Sequence, residues 1–261
     1  MASTRLRPAL SRISLGRALI AIGLVVVGIN ISAAIWDVAA ARERTERRAQ
    51  RDFTNVTRLL AEQTAAALEA ADLALRDAAW RGMPQPTQIS QLAAILVFDG
   101  EGHLVARSPQ DAQIDPALAE RMFVQLRGTV GSGLHITEPY RGGPEGAYWR
   151  FVMVRRVAAS GGAVAALIEI ESFERLYRTI DLGEGAFITL LSRQGVVMTR
   201  VPDLSARGQR LPAGELMVAA RRTGRFEGWA TSPITKERVL ASASVVRGFP
   251  LVVASGSDKR V

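Results

Sequence analysis

The feature that most constrains the fold of this chain is a hairpin written twice. Residues 95–109 read ILVFDGEGHLVARSP, and ninety-three positions later residues 188–202 read ITLLSRQGVVMTRVP. No gap is needed to align them: Ile95 pairs with Ile188, Gly102 with Gly195, Arg107 with Arg200 and Pro109 with Pro202. Each copy predicts a strand, a tight turn containing Gly, a second strand and a closing Pro. One repetition at a domain-sized interval predicts two similar modules in tandem, because a solenoid would show a shorter period and more copies.

The elements after each hairpin repeat too. After the first come a helical stretch over 117–128, a strand over 134–138, a long strand over 147–157 (AYWRFVMVRRV), an apolar strand over 163–170 and a connecting helix over 171–180. After the second come a helix around 213–222 and strands over 225–229, 238–246 and 251–254. Antiparallel strands with a helix inserted after the second strand form a PAS-like order.

The N-terminal part has a different character. Residues 18–36 (ALIAIGLVVVGINISAAIW) carry no charge over nineteen positions, about 28 Å of helix and close to the hydrocarbon thickness of a bilayer. A membrane helix is expected there, with Trp36 at the outer interface and four arginines (Arg5, Arg7, Arg12, Arg17) on the inner side. A cleaved signal peptide is the competing reading, and its apolar region would be shorter. From Asp37 to Trp80 there is no Gly or Pro, and Phe53, Val56, Leu60, Thr64, Ala67, Ala71, Leu75 and Ala78 recur at helical spacing. Gly82 and Pro84 then supply a stop. The expected organisation is a cytoplasmic N-terminus (1–17), a membrane helix (18–36), a long helical stalk (37–82), a membrane-distal module (83–180) and a membrane-proximal module (181–258). The fold class is α+β.

Charge and composition narrow the chemistry. The 33 basic and 25 acidic residues leave a net charge of +8, yet acids are interleaved with the basic residues beyond the first helix. No stripe of cations could track successive phosphates, so nucleic acid is not an expected partner. There is no cysteine, which excludes disulfides, thiolate catalysis and cysteine-bound zinc. His103 and His135, the only histidines, show no metal-ligand spacing, and Ser132 lies in no GxSxG elbow. The Gly-rich turns lack the Lys-Ser/Thr of a phosphate cradle. Catalytic residues, a metal and a cofactor are not expected.

The membrane helix running into a long helix, DGEGHLVARSP, YWRFVMVRRV, the link ESFERLYRTIDLGEGAFITLLSRQG and the closing RGFPLVVASG together resemble the double Cache (tandem PAS-like) sensor region of bacterial membrane receptors. The version found ahead of diguanylate cyclases and histidine kinases is the most similar. The resemblance covers roughly residues 18–256. It implies an inner-membrane anchor, a periplasmic bulk, a small-molecule ligand in the distal module and a shift passed through the membrane to an output domain. The long helix, helped by two membrane helices side by side, leads us to expect a homodimer or a heterodimer with a full-length relative. A Gly-Gly-Asp-Glu-Phe signature and a phosphoacceptor-histidine helix are absent, so cyclase or kinase chemistry is not expected of this polypeptide. The family pattern Asp-Arg-x-Tyr-Phe stands here as Glu120-Arg121-Met122-Phe123, which retains Arg121 and Phe123.

In strand 147–157 a period of two sends Trp149, Phe151, Met153 and Arg155 to one face and Tyr148, Arg150, Val152, Val154 and Arg156 to the other. One face covers the long helix and the other lines the pocket; the sequence leaves open which. An arginine among apolar neighbours suits a carboxylate, which it can grip with two parallel hydrogen bonds. The expected ligand residues are Arg121, Phe123, Tyr148, Trp149 and Arg155, for a small, anionic ligand. Against this stands an internal ion pair of Arg155 with Glu169 or Glu171. The competing function is a degenerate module that binds nothing and only pairs with full-length receptors.

Overall fold

A computed structural model of the protein describes residues 15–84, 89–110, 112, 133–142, 146–157 and 160–257, apart from the side chains of 15–19, 21–22, 35, 38–39 and 42. The chain divides into two units, Met1–Ala49 with Val261 and Gln50–Arg260. The described part of the first unit is the beginning of helix α1 (Leu15–Arg81). Its polar side chains are satisfied within the helix: Asn30 Nδ2 and Ser32 Oγ donate to the carbonyls of Val26 and Gly28, each at 2.8 Å. The expected membrane segment is thus helical, but among the described residues no helix is long and apolar enough to cross a membrane.

The second unit holds the rest of α1 and two antiparallel sheets. The first sheet contains β1 (Leu92–Phe98), β2 (Leu104–Ser108), β3 (Leu134–Ile136), β4 (Tyr140–Gly142), β5 (Tyr148–Arg156) and β6 (Ala163–Glu169). Its order is β2-β1-β6-β5-β3, with β4 also on β5. After helix α2 (Ile170–Arg178) the second sheet contains β7 (Ala186–Ser192), β8 (Val197–Val201), β9 (Arg225–Thr231), β10 (Arg238–Val245) and β11 (Leu251–Ser257), with helix α3 (Glu215–Thr223) between β8 and β9. Its order, β8-β7-β11-β10-β9, is that of the first sheet strand for strand.

The likeness extends to single residues. Leu96 faces Arg107 and Thr189 faces Arg200, and each hairpin carries its register shift at the same place, between Val97 and Phe98 and between Leu190 and Leu191. In both turns a side-chain oxygen caps the backbone N–H four residues on. Asp99 Oδ1 accepts from His103 N at 2.8 Å, and Ser192 Oγ from Val196 N at 3.1 Å. The bond from His103, with those from Glu101 and Gly102, holds the exposed Asp99 carboxyl below its ordinary value despite some desolvation. The predicted helix over 117–128, with Arg121 and Phe123, lies outside the described residues. The short β4 is an element that the sequence reading omits.

One face of each sheet packs on α1. The apolar stripe is buried as its spacing predicts, at Phe53, Leu60, Ala71, Leu75 and Ala78, and Ala61, Ala65 and Leu68 widen it. A single core joins Leu60, Ala61, Ala65, Leu68, Ala71, Leu75 and Ala78 to Ile95, Val97, Phe151, Met153 and Ile168 of the first sheet and to Ile188, Leu190, Leu251 and Val253 of the second. α1 ends at Arg81, followed by Gly82 at a left-handed φ of 68°. Three polar contacts fix the helix lengthwise: Thr57 Oγ1 with Ser255 Oγ, Thr64 Oγ1 with the Tyr177 hydroxyl at 3.1 Å, and Asp72 with Arg155.

The last contact corrects a sequence expectation. Trp149, Phe151, Met153 and Arg155 form the helix-facing side of β5. Arg155 donates through Nε and Nη2 to both oxygens of Asp72, the second bond at 2.9 Å. The arginine is therefore spent on an internal ion pair. Its partner is the helix residue Asp72, not Glu169 or Glu171.

Asp72→Ala and Arg155→Ala should each cost about 2–3 kcal/mol, below the cost of breaking a fully buried pair because water still reaches Arg155. The double variant should cost clearly less than the sum of the two, measured by chemical denaturation. Tyr177 provides a pH signature. Burial raises its hydroxyl far above the ordinary value of 10.0, against the lowering by Thr64. Above about pH 10 the unfolded chain releases this proton while the folded chain retains it, so the contribution, complete below that pH, is lost as pH rises. Tyr177→Phe should lose about 1 kcal/mol at neutral pH and show a shallower alkaline loss of stability in a pH series of melting curves.

Candidate functional site

With their inner faces on α1, the two sheets offer chemistry on their outer faces. In the first sheet the outer face has an apolar floor of Leu96, Phe98, Val152, Val154, Ala165 and Leu167. Polar groups gather at one end of this floor. Arg150 on β5 stands opposite Tyr140 of β4 on one side and Glu169 of β6 on the other. The Arg150 side chain is 12% exposed, with Nη2 3.4 Å from Glu169 Oε1. Its guanidinium lies 5.3 Å from the Tyr148 ring centroid. The buried Nε has no hydrogen-bond partner among the described residues. A cation held this loosely, stacked on an aromatic ring and with a buried donor unused, is arranged to take an acceptor.

The expected site residues separate accordingly. Tyr148 lies on the outer face beside Arg150. Trp149 turns the other way, with its backbone N–H donating to Glu171 Oε1 at 2.9 Å. Its ring packs 3.4 Å from where a Cβ on Gly208 would sit, at the junction of the two sheets. Arg155 is held by Asp72, and Arg121 and Phe123 lie outside the described residues. The arginine that sequence reasoning passed over is Arg150. Its signal was its parity with Tyr148 in strand 147–157, but parity alone did not identify the outer face.

The outer face of the second sheet bears a cavity of about 560 Å³, open mouth included, roofed by α3 and the segments flanking it and β9. Its wall is almost entirely apolar, with Arg200 as the cation. Arg200 is 5% exposed. It donates from Nη1 to Thr189 Oγ1 at 3.2 Å, and its guanidinium carbon lies 3.9 Å from the Phe187 ring centroid. The two sheets are tied by α2, where buried Glu174 accepts from Thr199 Oγ1 at 2.6 Å and from Arg207 Nη2. Arg210 also pairs with Glu138 across the sheets. Among the described residues no group of three or more His, Asp or Glu side chains is placed to hold a metal ion.

No protein-family model and no curated protein matches the chain. Solved structures do. The extracellular domain of a protein described as a histidine kinase, rpHK1S-Z16, is 26% identical, with a TM-score of 0.69 over 82% of this chain and 95% of that one. The periplasmic sensory domain of the Campylobacter jejuni chemoreceptor Tlp1 has a TM-score of 0.66 at 11% identity, over 80% and 94% of the two chains. The ligand-binding domain of the Pseudomonas fluorescens chemoreceptor CtaA, in complex with L-isoleucine, has a TM-score of 0.59 at 17% identity, over 84% and 96%. These are sensor domains of a protein described as a histidine kinase and of chemoreceptors. Residue pattern, sheet order and these likenesses agree: the chain has the tandem PAS-like, double Cache architecture of bacterial periplasmic ligand-binding sensor regions.

Proposed function

We propose that this chain is the extracytoplasmic sensor of a membrane receptor and that its first module binds a small molecule carrying a carboxylate. The observation that carries the reading is Arg150, half-buried on the outer face of the first sheet with its buried Nε unused among the described residues. An unsatisfied buried donor costs about 1–3 kcal/mol, more when charged, and an incoming carboxylate would recover that cost. Glu169, only loosely engaged at 3.4 Å, is placed to accept an ammonium. An amino acid would use both groups, and the L-isoleucine complex of CtaA and the GABA complex of PctC are solved structures of similar fold. Tyr148 packs beside the ligand in this reading, and Arg121 and Phe123 remain candidates for its cover.

Anchoring in the inner membrane rests on the uncharged run 18–36 and on the exposure of Leu24, Val25, Val26, Val27, Ile29 and Ile31, each 51–68% exposed. Such a surface is suited to lipid. Signalling would pass along α1 paired with a second copy or with a full-length relative. Leu59, Leu73 and Trp80 support that pairing: they are 49%, 65% and 83% exposed and share one heptad register.

The test is a calorimetric titration of the full chain, in lipid nanodiscs, with a panel of small carboxylates and amino acids. At least one should bind, and Arg150→Ala should weaken it about 10- to 150-fold, the loss of one charge-assisted hydrogen bond. A hit whose affinity is unchanged in Arg150→Ala would remove the site, and a panel with no hit would favour the non-binding interaction module.

A further inference from the structure

Residues 207–211 belong to the second module by their backbone and reach the first by their side chains. Gly208 N donates to Val197 O at 2.8 Å, Val197 N to Gln209 O at 2.9 Å and Leu211 N to Gly195 O at 2.9 Å, so this strap moves with the start of β8. From it Arg207 donates through Nη2 to Glu174 on α2, and Arg210 pairs with Glu138. Between them Gly208, at a left-handed φ of 75°, backs onto the ring of Trp149. The Glu138 end is itself tied to β5, because Thr137 N donates to Val152 O and Val152 N to Thr137 Oγ1, each at 2.9 Å. The strap therefore meets β5 on both sides of Arg150.

The polar contacts of this junction are incomplete at one point. Glu171 Oε1 accepts from Trp149 N at 2.9 Å, while Oε2 is buried without a partner among the described residues. Arg207 is engaged through Nη2, while its buried Nε has no partner among them either. Glu171 and Glu174 stand three residues apart on α2 and so share one face of that helix. Each unused buried group costs free energy, and this acceptor and this donor are complementary in charge. We propose that Glu171 and Arg207 form a clasp that closes when the Arg150 site is filled, Arg207 then bridging Glu171 and Glu174; the clasp rests on the carboxylate site argued above. Drawing Tyr148 and Arg150 onto a ligand moves Trp149, which lies between them in β5, and with it the Glu171 carboxylate that holds its N–H. Closure gives the unused donor and acceptor a partner each, and the strap carries the displacement into β8. A contact made in only one of two states biases the equilibrium between them, and by linkage it raises the affinity of the ligand that selects that state. Glu171 is thus a positioning residue: it acts on the site through Trp149.

The chain has no cysteine, so spin labels at Val105→Cys on β2 and Val218→Cys on α3, both exposed positions, report the distance between the modules. The doubly labelled full chain, in lipid nanodiscs, is measured by pulsed electron paramagnetic resonance with and without saturating L-isoleucine, L-arginine or GABA, with binding followed by calorimetry. An amino acid that binds should shift the distance distribution. Glu171→Gln keeps an oxygen for the Trp149 N–H and loses the charge meant for Arg207. It should weaken binding about 5- to 150-fold and leave the labels unmoved on saturation. Arg207→Lys keeps the charge opposite Glu174 and lacks the second donor; it should behave alike, and it decides the question if Glu171→Gln fails to fold. A bound amino acid that does not move the labels overturns the clasp and leaves the Arg150 site standing. Native affinity or a native shift in either variant does the same. If none of the three amino acids binds, or if binding is unchanged in Arg150→Ala, the site itself is removed and the clasp with it.

Discussion

The interaction on which the rest depends is the burial of one stripe of α1 under two sheets. A sheet with one apolar face must cover that face, and here a single helix serves both. Small residues make this possible. Ala61, Ala65, Ala71 and Ala78 are buried among larger ones, and they let the helix axis approach two differently placed surfaces. Apolar packing does not by itself prevent a helix from sliding lengthwise. Thr57 with Ser255, Thr64 with Tyr177 and Asp72 with Arg155 place one polar contact on the second sheet, one on α2 and one on the first sheet. Each would be lost if the helix shifted by a turn. The helix is thereby indexed to both modules, which is what a mechanical link between them requires.

This allocation of faces decides where recognition can occur. Side chains pointing to α1, Arg155 among them, are consumed by the core. The outer faces are free of that duty, and each presents an arginine beside an aromatic ring: half-buried Arg150 with Tyr148, buried Arg200 with Phe187. The modules share topology and differ in what surrounds the cation. Between them, Glu174 holds Thr199 and Arg207, and Trp149 packs against Gly208. A change on either outer face therefore has a packed route to the other sheet and to α1.

Much of this was legible in the residues. The hairpin repeat foretold two sheets of one topology, and even its register shift recurs at the same offset. The stripe from Phe53 to Ala78 foretold the buried side of α1, and Gly82 its end. Parity was the limit. Alternation along strand 147–157 separates two faces with certainty, but both carry arginine and aromatic residues, so composition could not say which one met the helix. The deciding partner, Asp72, lies 83 residues from Arg155, a distance at which no local pattern operates. Glu169, weighed as a partner for Arg155, belongs by the same parity to Arg150. Arg200 was visible as the repeat of Arg107, but its burial depends on α3 and β9, which have no bearing on the hairpin itself. β4 went unread because three residues are too few for a periodic signal.

The central claim is that both sheets and α1 form one cooperative body through a shared stripe. Hydrogen exchange of the chain under native conditions tests it directly, residue by residue. The account predicts that the slowest amides of β1, β6, β7 and β11 and those of α1 between Phe53 and Ala78 open with a common free energy, and that Leu68→Ala lowers protection in all of them together. If the two sheets opened with separate free energies, or if Leu68→Ala loosened one sheet and left the other unchanged, the shared helix would not be what holds the modules together.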